Sequence, residues 1–136
     1  MDEKHTFRAT GHTEVKAYVP TTFDETADGP ALNEVQVTET FSGDIEGQGI
    51  ARVIQVARRD GSASFVGLER VRGTIADLSG TFLLQVSGTL VGQQMQSEWF
   101  VVPGSGTGRL RGLRGDGGFK AQVGQHGAIW LDYFFE

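Results

Sequence analysis

Ile50–Arg72 reads IARVIQVARRDGSASFVGLERVR, two β-rich arms around Asp60-Gly61. Ile50–Arg59 and Ala63–Arg72 are the arms. The dipeptide between them is a strong hairpin signal, because glycine adopts positive φ without a steric penalty. In the second arm Phe65, Gly67, Glu69 and Val71 share one parity, as the period-two geometry of a strand requires. A lone hairpin is marginal in water and leaves two unpaired edges, so further strands must cover them.

Outward from this hairpin the same grammar recurs. His5–Tyr18, Asn33–Ser42, Thr81–Val91, Gln94–Val102, Phe119–Val123 and Ala128–Phe135 read as strands. Val19–Leu32 contains Pro20, Pro30 and Asp28-Gly29 and reads as a surface loop, Gly73–Gly80 as a short excursion. The run Gly104–Gly118 reads as turn and kink. No segment sustains a helical apolar period over three turns with a cap. About eight strands joined to their sequence neighbours make a meander, which stacks as a sandwich or closes as a barrel. Glycine supplies 20 of 136 residues, and glycines within strands favour the curved, closed form. The expectation is one all-β domain over residues 1–136, a single antiparallel barrel, closed or nearly so.

Composition excludes several functions. Cysteine is absent, so disulfides, thiolate metal sites and a cysteine nucleophile are ruled out. The formal net charge is -5, which disfavours nucleic acid and anionic membrane as partners. The charge is uneven: residues 1–48 carry ten acids and three bases, residues 49–136 seven acids and nine bases. No apolar run reaches the roughly 20 residues of a spanning helix. The N-terminus MDEKHTFRAT lacks the apolar core of a leader, and a cytoplasmic location is expected.

Four ordered strings carry a resemblance. They are Phe41–Gly49 (FSGDIEGQG), Ser64–Val71 (SFVGLERV), Gly80–Gln85 (GTFLLQ) and Val101–Gly108 (VVPGSGTG). Together they resemble the bacterial domain-of-unknown-function 3224 family across nearly the whole chain. The resemblance implies a small barrel of the allene oxide cyclase and dirigent architecture and supplies no catalytic set, since fold alone does not carry function.

Familiar site motifs fail on their context. The glycine-rich run Val102–Gly118 lacks the Gly-Lys-Ser/Thr ending of a phosphate loop, and no helix follows it. Arg109, Arg111 and Arg114 beside it leave only a weak anion site conceivable. His5, His12 and His126 have no metal-ligand spacing, so no metal and no cofactor are expected. A serine nucleophile elbow is missing as well.

The informative residues are polar ones on inward parities. Glu39 shares a face with Val35, Val37 and Phe41, and Glu69 shares one with Phe65, Gly67 and Val71. A carboxylate inside an apolar barrel must be paired or become neutral. Three readings follow: a structural pair with Arg52, Arg70 or Arg72, a ligand contact, or general acid/base chemistry. Trp99, a core filler on the bland reading, and Tyr133, a hydroxyl donor, complete the lining candidates.

The leading expectation is a barrel that binds a mostly apolar small molecule, with Glu39, Glu69, Trp99 and Tyr133 at or near the lining. A cofactor-free cyclase or isomerase using a buried carboxylate is the alternative, and a structural, oligomeric barrel with a filled core the third. Apolar residues on both faces of 129–135 lead us to expect a homo-oligomer.

Overall fold

The computed structural model describes residues 6–136, so His5 lies outside the described residues. Eight antiparallel strands close into one barrel in chain order. They are β1 (Phe7–Asp24), β2 (Ala31–Gly43), β3 (Ile45–Ala57), β4 (Ala63–Ile75), β5 (Leu78–Val91), β6 (Gln94–Val101), β7 (Leu113–Gln122) and β8 (Gly127–Phe135). Closure is made by β1 against β8, from the pair Phe7–Tyr133 to the pair Thr13–Gly127. Among the described residues, no helix is long and apolar enough to cross a membrane.

Strand parity sets the interior. Odd-numbered residues of β2, β3, β4 and β8 and even-numbered residues of β5 point inward, so Val35, Val53, Val71, Leu131 and Phe82 are buried. On β1 the phase changes. Lys16 is unopposed between the pairs Val15–Glu39 and Ala17–Thr38, a bulge that re-aims the strand.

Three segments differ from the sequence expectation. Val19–Leu32 is mostly strand, not loop: β1 runs to Asp24 and β2 begins at Ala31. Beyond Thr13 the β1 strand pairs with β2 and no longer with β8, so Pro20 sits on an edge where a missing N–H is tolerated. Gly73–Gly80 is no excursion, because β4 and β5 continue to a two-residue turn. Ala76 and Asp77 form it with φ of 48° and 69°, the geometry usually given to Asn-Gly. The last six residues of the glycine-rich run, 113–118, are strand, since β7 starts at Leu113. Gly118 is needed there: a Cβ would stand 3.2 Å from the Trp130 ring and collide with the Ser97 carbonyl.

The barrel is solid at one end. The β6–β7 connection continues along β5, where Thr107 N–H donates to Thr81 O at 2.9 Å and Leu83 N–H donates to Ser105 Oγ at 3.1 Å. A single 3₁₀ turn, Gly108–Leu110, then drops Leu110 into the barrel end, fully buried with Ile75, Phe82, Leu84 and Leu113. Burial of such a side chain contributes roughly 1.5–3 kcal/mol.

The outer surface carries both covered and exposed apolar residues. On β8 the outward Trp130, Asp132 and Phe134 are half-buried, and Arg8 holds Asp132 through two hydrogen bonds of 2.7 and 2.8 Å. An exposed apolar stripe lies on β3 and β4, where Ile50, Ile54, Val66 and Leu68 are 42–52% exposed among Arg52, Arg70 and Arg72.

Candidate functional site

The other half of the barrel is hollow. A cavity of about 430 Å³ opens between the hairpin ends, with Gly124–Gly127 at its rim. Its walls are Val15, Val37, Ala51, Val53, Phe65, Val86, Met95, Phe119 and Ala121, and its polar groups include Thr13, Tyr18, Gln55, Glu39 and Glu69. This volume lies within the range of roughly 300–1,000 Å³ common for small-molecule sites.

Glu39 on β2 and Glu69 on β4 reach each other across β3. Glu39 is directly opposite Gly49, and Glu69 is opposite Ala51, two residues further along the same strand. Gly49 makes the meeting possible. A Cβ on it would coincide with Glu69 Oε2 and stand 2.8 Å from the Phe41 ring, so the Glu69 carboxyl occupies the space a side chain would take. The two carboxyls then contact one another.

None of the arginines proposed as partners reaches them. Arg52, Arg70 and Arg72 have the opposite parity, are exposed on the outer face, and Arg52 lies 3.6 Å from Glu34. The structural pairing with arginine is therefore corrected to a pairing between carboxyls. Glu69 is 4% exposed, and among the described residues its buried Oε2 has no hydrogen-bond donor while both glutamates are ionised. Two ionised carboxylates cannot hydrogen-bond, so the contact is a hydrogen bond only when one carries a proton. Burial, and then the charge of Glu39, push the Glu69 carboxyl well above the usual carboxylate range. Burial also raises Glu39, against the opposing effect of its hydrogen bond to Glu69. The pair titrates as a unit that retains a proton above the ordinary range.

The rim is polar and tied together. Thr22 Oγ1 donates to Asn33 Oδ1 at 2.7 Å, Asn33 Nδ2 to Gln55 Oε1 at 2.9 Å, and Gln55 Nε2 to the Tyr18 hydroxyl at 3.0 Å. The chain of donors fixes Tyr18 with its own proton free to point elsewhere. Glu14 stands at the opening, bonded by Lys16 at 3.0 Å and 3.7 Å from His126.

Trp99 and Tyr133 are not in the wall. Trp99 is buried beneath the cavity, between Phe41 and Phe119, with its indole N–H donating to Trp130 O at 3.2 Å. It supports the floor through Phe119. Tyr133 belongs to the solid end, tilted on Phe7 with ring centroids 5.7 Å apart, because β8 runs from the open rim to the closed base. Burial and nearby Asp44 raise its pKa, which keeps the hydroxyl protonated. Sequence reasoning missed Tyr18, Gln55, Phe65, Met95 and Phe119 as lining residues. For Phe65 the signal was present, since it has the parity of Glu69. For Tyr18 the bulge at Lys16 hid it. Among the described residues no group of three or more His, Asp or Glu is placed to hold a metal ion.

Comparison with known proteins agrees with this architecture. No curated protein matches the sequence. A crystal structure of a DUF3224 protein of unknown function from Shewanella oneidensis MR-1 is 28% identical, with a TM-score of 0.82 over 97% of this chain and 99% of that one. A conserved protein of unknown function from Rhodopseudomonas palustris is 11% identical, with a TM-score of 0.59 over 98% of this chain and 100% of that one, and shares the fold. The family model for proteins of unknown function DUF3224 matches residues 9–133, and the chain belongs to that family.

Proposed function

We propose that the protein binds a mostly apolar small molecule in the open half of the barrel, with a polar head against Glu39 and Glu69. One observation carries the reading: a roomy apolar cavity whose lining includes two carboxyls, Glu39 and Glu69, with no lysine or arginine beside them among the described residues. Buried polar groups are costly when unpaired, so the acidic pair marks where a ligand's polar head fits. Trp99 acts from below as a support for Phe119, and Tyr133 as part of the solid base. A thermal-shift screen of medium-chain alcohols, ketones and amines checks it. Saturable stabilisation is expected, and it should weaken in Ala51→Leu, which fills the cavity beside the pair. Equal shifts in both proteins would reject the site.

The carboxyl pair also favours a second reading, a cofactor-free isomerase or cyclase related in architecture to the allene oxide cyclase and dirigent barrels. In a half-protonated pair one carboxylate accepts a substrate proton while its partner returns one. The apolar walls would hold a flexible substrate in one conformer. Turnover of polyunsaturated or epoxide substrates that disappears in Glu69→Gln supports it, and absence of turnover rejects it.

We further propose a cytoplasmic homo-oligomer that contacts a second copy through the β3–β4 stripe of Ile50, Ile54, Val66 and Leu68. An apolar stripe studded with arginine suits an interface. Light scattering after size exclusion should show an assembly that Leu68→Lys dissociates. A monomer in both cases contradicts it.

A further inference from the structure

We propose that the deep end of the cavity is an ammonium site, and that the ligand is a lipophilic primary amine. The inference rests on the cavity being a ligand site and goes on to name the head group. Its basis is the absence of a permanent cation among the described lining residues. Among the described residues no lysine or arginine lines the cavity, and Glu39 and Glu69 are both in its lining. An anionic ligand would meet two acids there with nothing to neutralise it. A neutral alcohol brings one donor for the four carboxyl oxygens. A primary ammonium brings three N–H donors and one positive charge, enough to serve the cavity-lining carboxyls of Glu39 and Glu69 together.

The walls and the opening agree with that head group. Phe65, Phe119 and Tyr18 present aromatic rings to a bound cation and to its apolar body. Titratable groups that face the cavity from the packed elements are Glu14 and Tyr18 on β1, His126 in the β7–β8 turn, and the pair itself. The facing residues of β3, β5, β6 and β7, among them Ala51, Val53, Val86, Met95 and Phe119, carry no charge. The acidic Asp24, Glu25 and Asp28 sit on the β1–β2 hairpin at the end of the barrel where the cavity opens, beside Arg58 and Arg59 of the β3–β4 turn, with Arg59 donating to Thr26 O at 3.5 Å.

Binding is coupled to a proton. Burial and mutual repulsion favour one shared proton in the free pair. The ammonium enters with all three of its own, both carboxyls become ionised around it, and the shared proton leaves to solvent. One proton is released for each amine bound, and no covalent bond is made or broken in the ligand. Affinity therefore rises with pH until the free pair has itself lost the proton.

Isothermal titration with n-octylamine, 1-octanol and octanoate tests the proposal on the wild-type protein and on Glu69→Gln and Glu39→Gln. Octylamine should bind at least tenfold more tightly than octanol, and octanoate should give no heat. The amine's apparent enthalpy should change between phosphate and Tris at one pH by the amount that one released proton requires. In either variant the amine-to-alcohol affinity ratio should fall at least tenfold. Octanol that binds as tightly as octylamine, or an amine that binds without releasing a proton, overturns the ammonium site while leaving the cavity reading intact. Failure of all three probes rejects both. Should a variant not fold, judged by circular dichroism, the buffer-dependent heat of the wild type decides alone.

Discussion

Raising the pH from about 5 to about 8 should destabilise the protein, and Glu69→Gln should remove most of that loss. In the unfolded chain both glutamates ionise near pH 4.3. In the native barrel burial holds both above that value, and Glu69 is pushed further by the charge of Glu39. Between the unfolded and native titrations the folded state binds more protons, so stability falls as pH rises. The benefit is complete below the unfolded value and is lost as pH climbs through the native one. One retained proton sets a slope of about 1.4 kcal/mol per pH unit for as long as the pair keeps it. Glu14, Asp60 and Asp132 are shifted downward by Lys16, Ser62 and Arg8, so their contribution is lost only as pH falls below the usual carboxylate range. Urea unfolding at closely spaced pH values, with wild type and Glu69→Gln side by side, isolates the pair. The amide introduced by that substitution donates to Glu39 without titrating, so the variant's curve should be much flatter. Parallel curves for the two proteins, or wild-type stability that rises over this interval, would refute a buried pair that shares a proton.

Two further outcomes follow from the packing. Leu110→Ala removes the plug of the solid end and should cost about 2–5 kcal/mol in urea unfolding, because a fully buried leucine leaves a cavity behind. Gly49→Ala places a methyl on the Glu69 carboxyl and against the Phe41 ring, and should cost about 1–3 kcal/mol while flattening the pH dependence of stability.

Much of this was readable from residue parity. The inward faces of β2 and β4, with Glu39 and Glu69 on them, follow from simple alternation, and so does the meander that closes the barrel. The pairing of those acids does not. It depends on β2 and β4 flanking one strand and on a glycine lying between them, facts of register rather than of local pattern. The outward parity of Arg52, Arg70 and Arg72 was available and argued against an arginine partner. The length of β1 was hidden because an exposed ribbon with Pro20 has the composition of a loop. In β7 Gly115, Gly117 and Gly118 have no side chains with which to show alternation. Tyr133 has the inward parity expected of a lining residue, but parity gives the face of a strand and not the depth along the barrel.

Depth is what a methyl-resolved NMR titration with 1-octanol would report. If the open half of the barrel is the ligand site, Val37, Val53 and Val86 shift together with one-to-one saturation, while Ile75 and Leu110 at the solid end stay fixed. Shifts confined to Ile50 and Leu68 on the outer face, or none at saturating octanol, would contradict it.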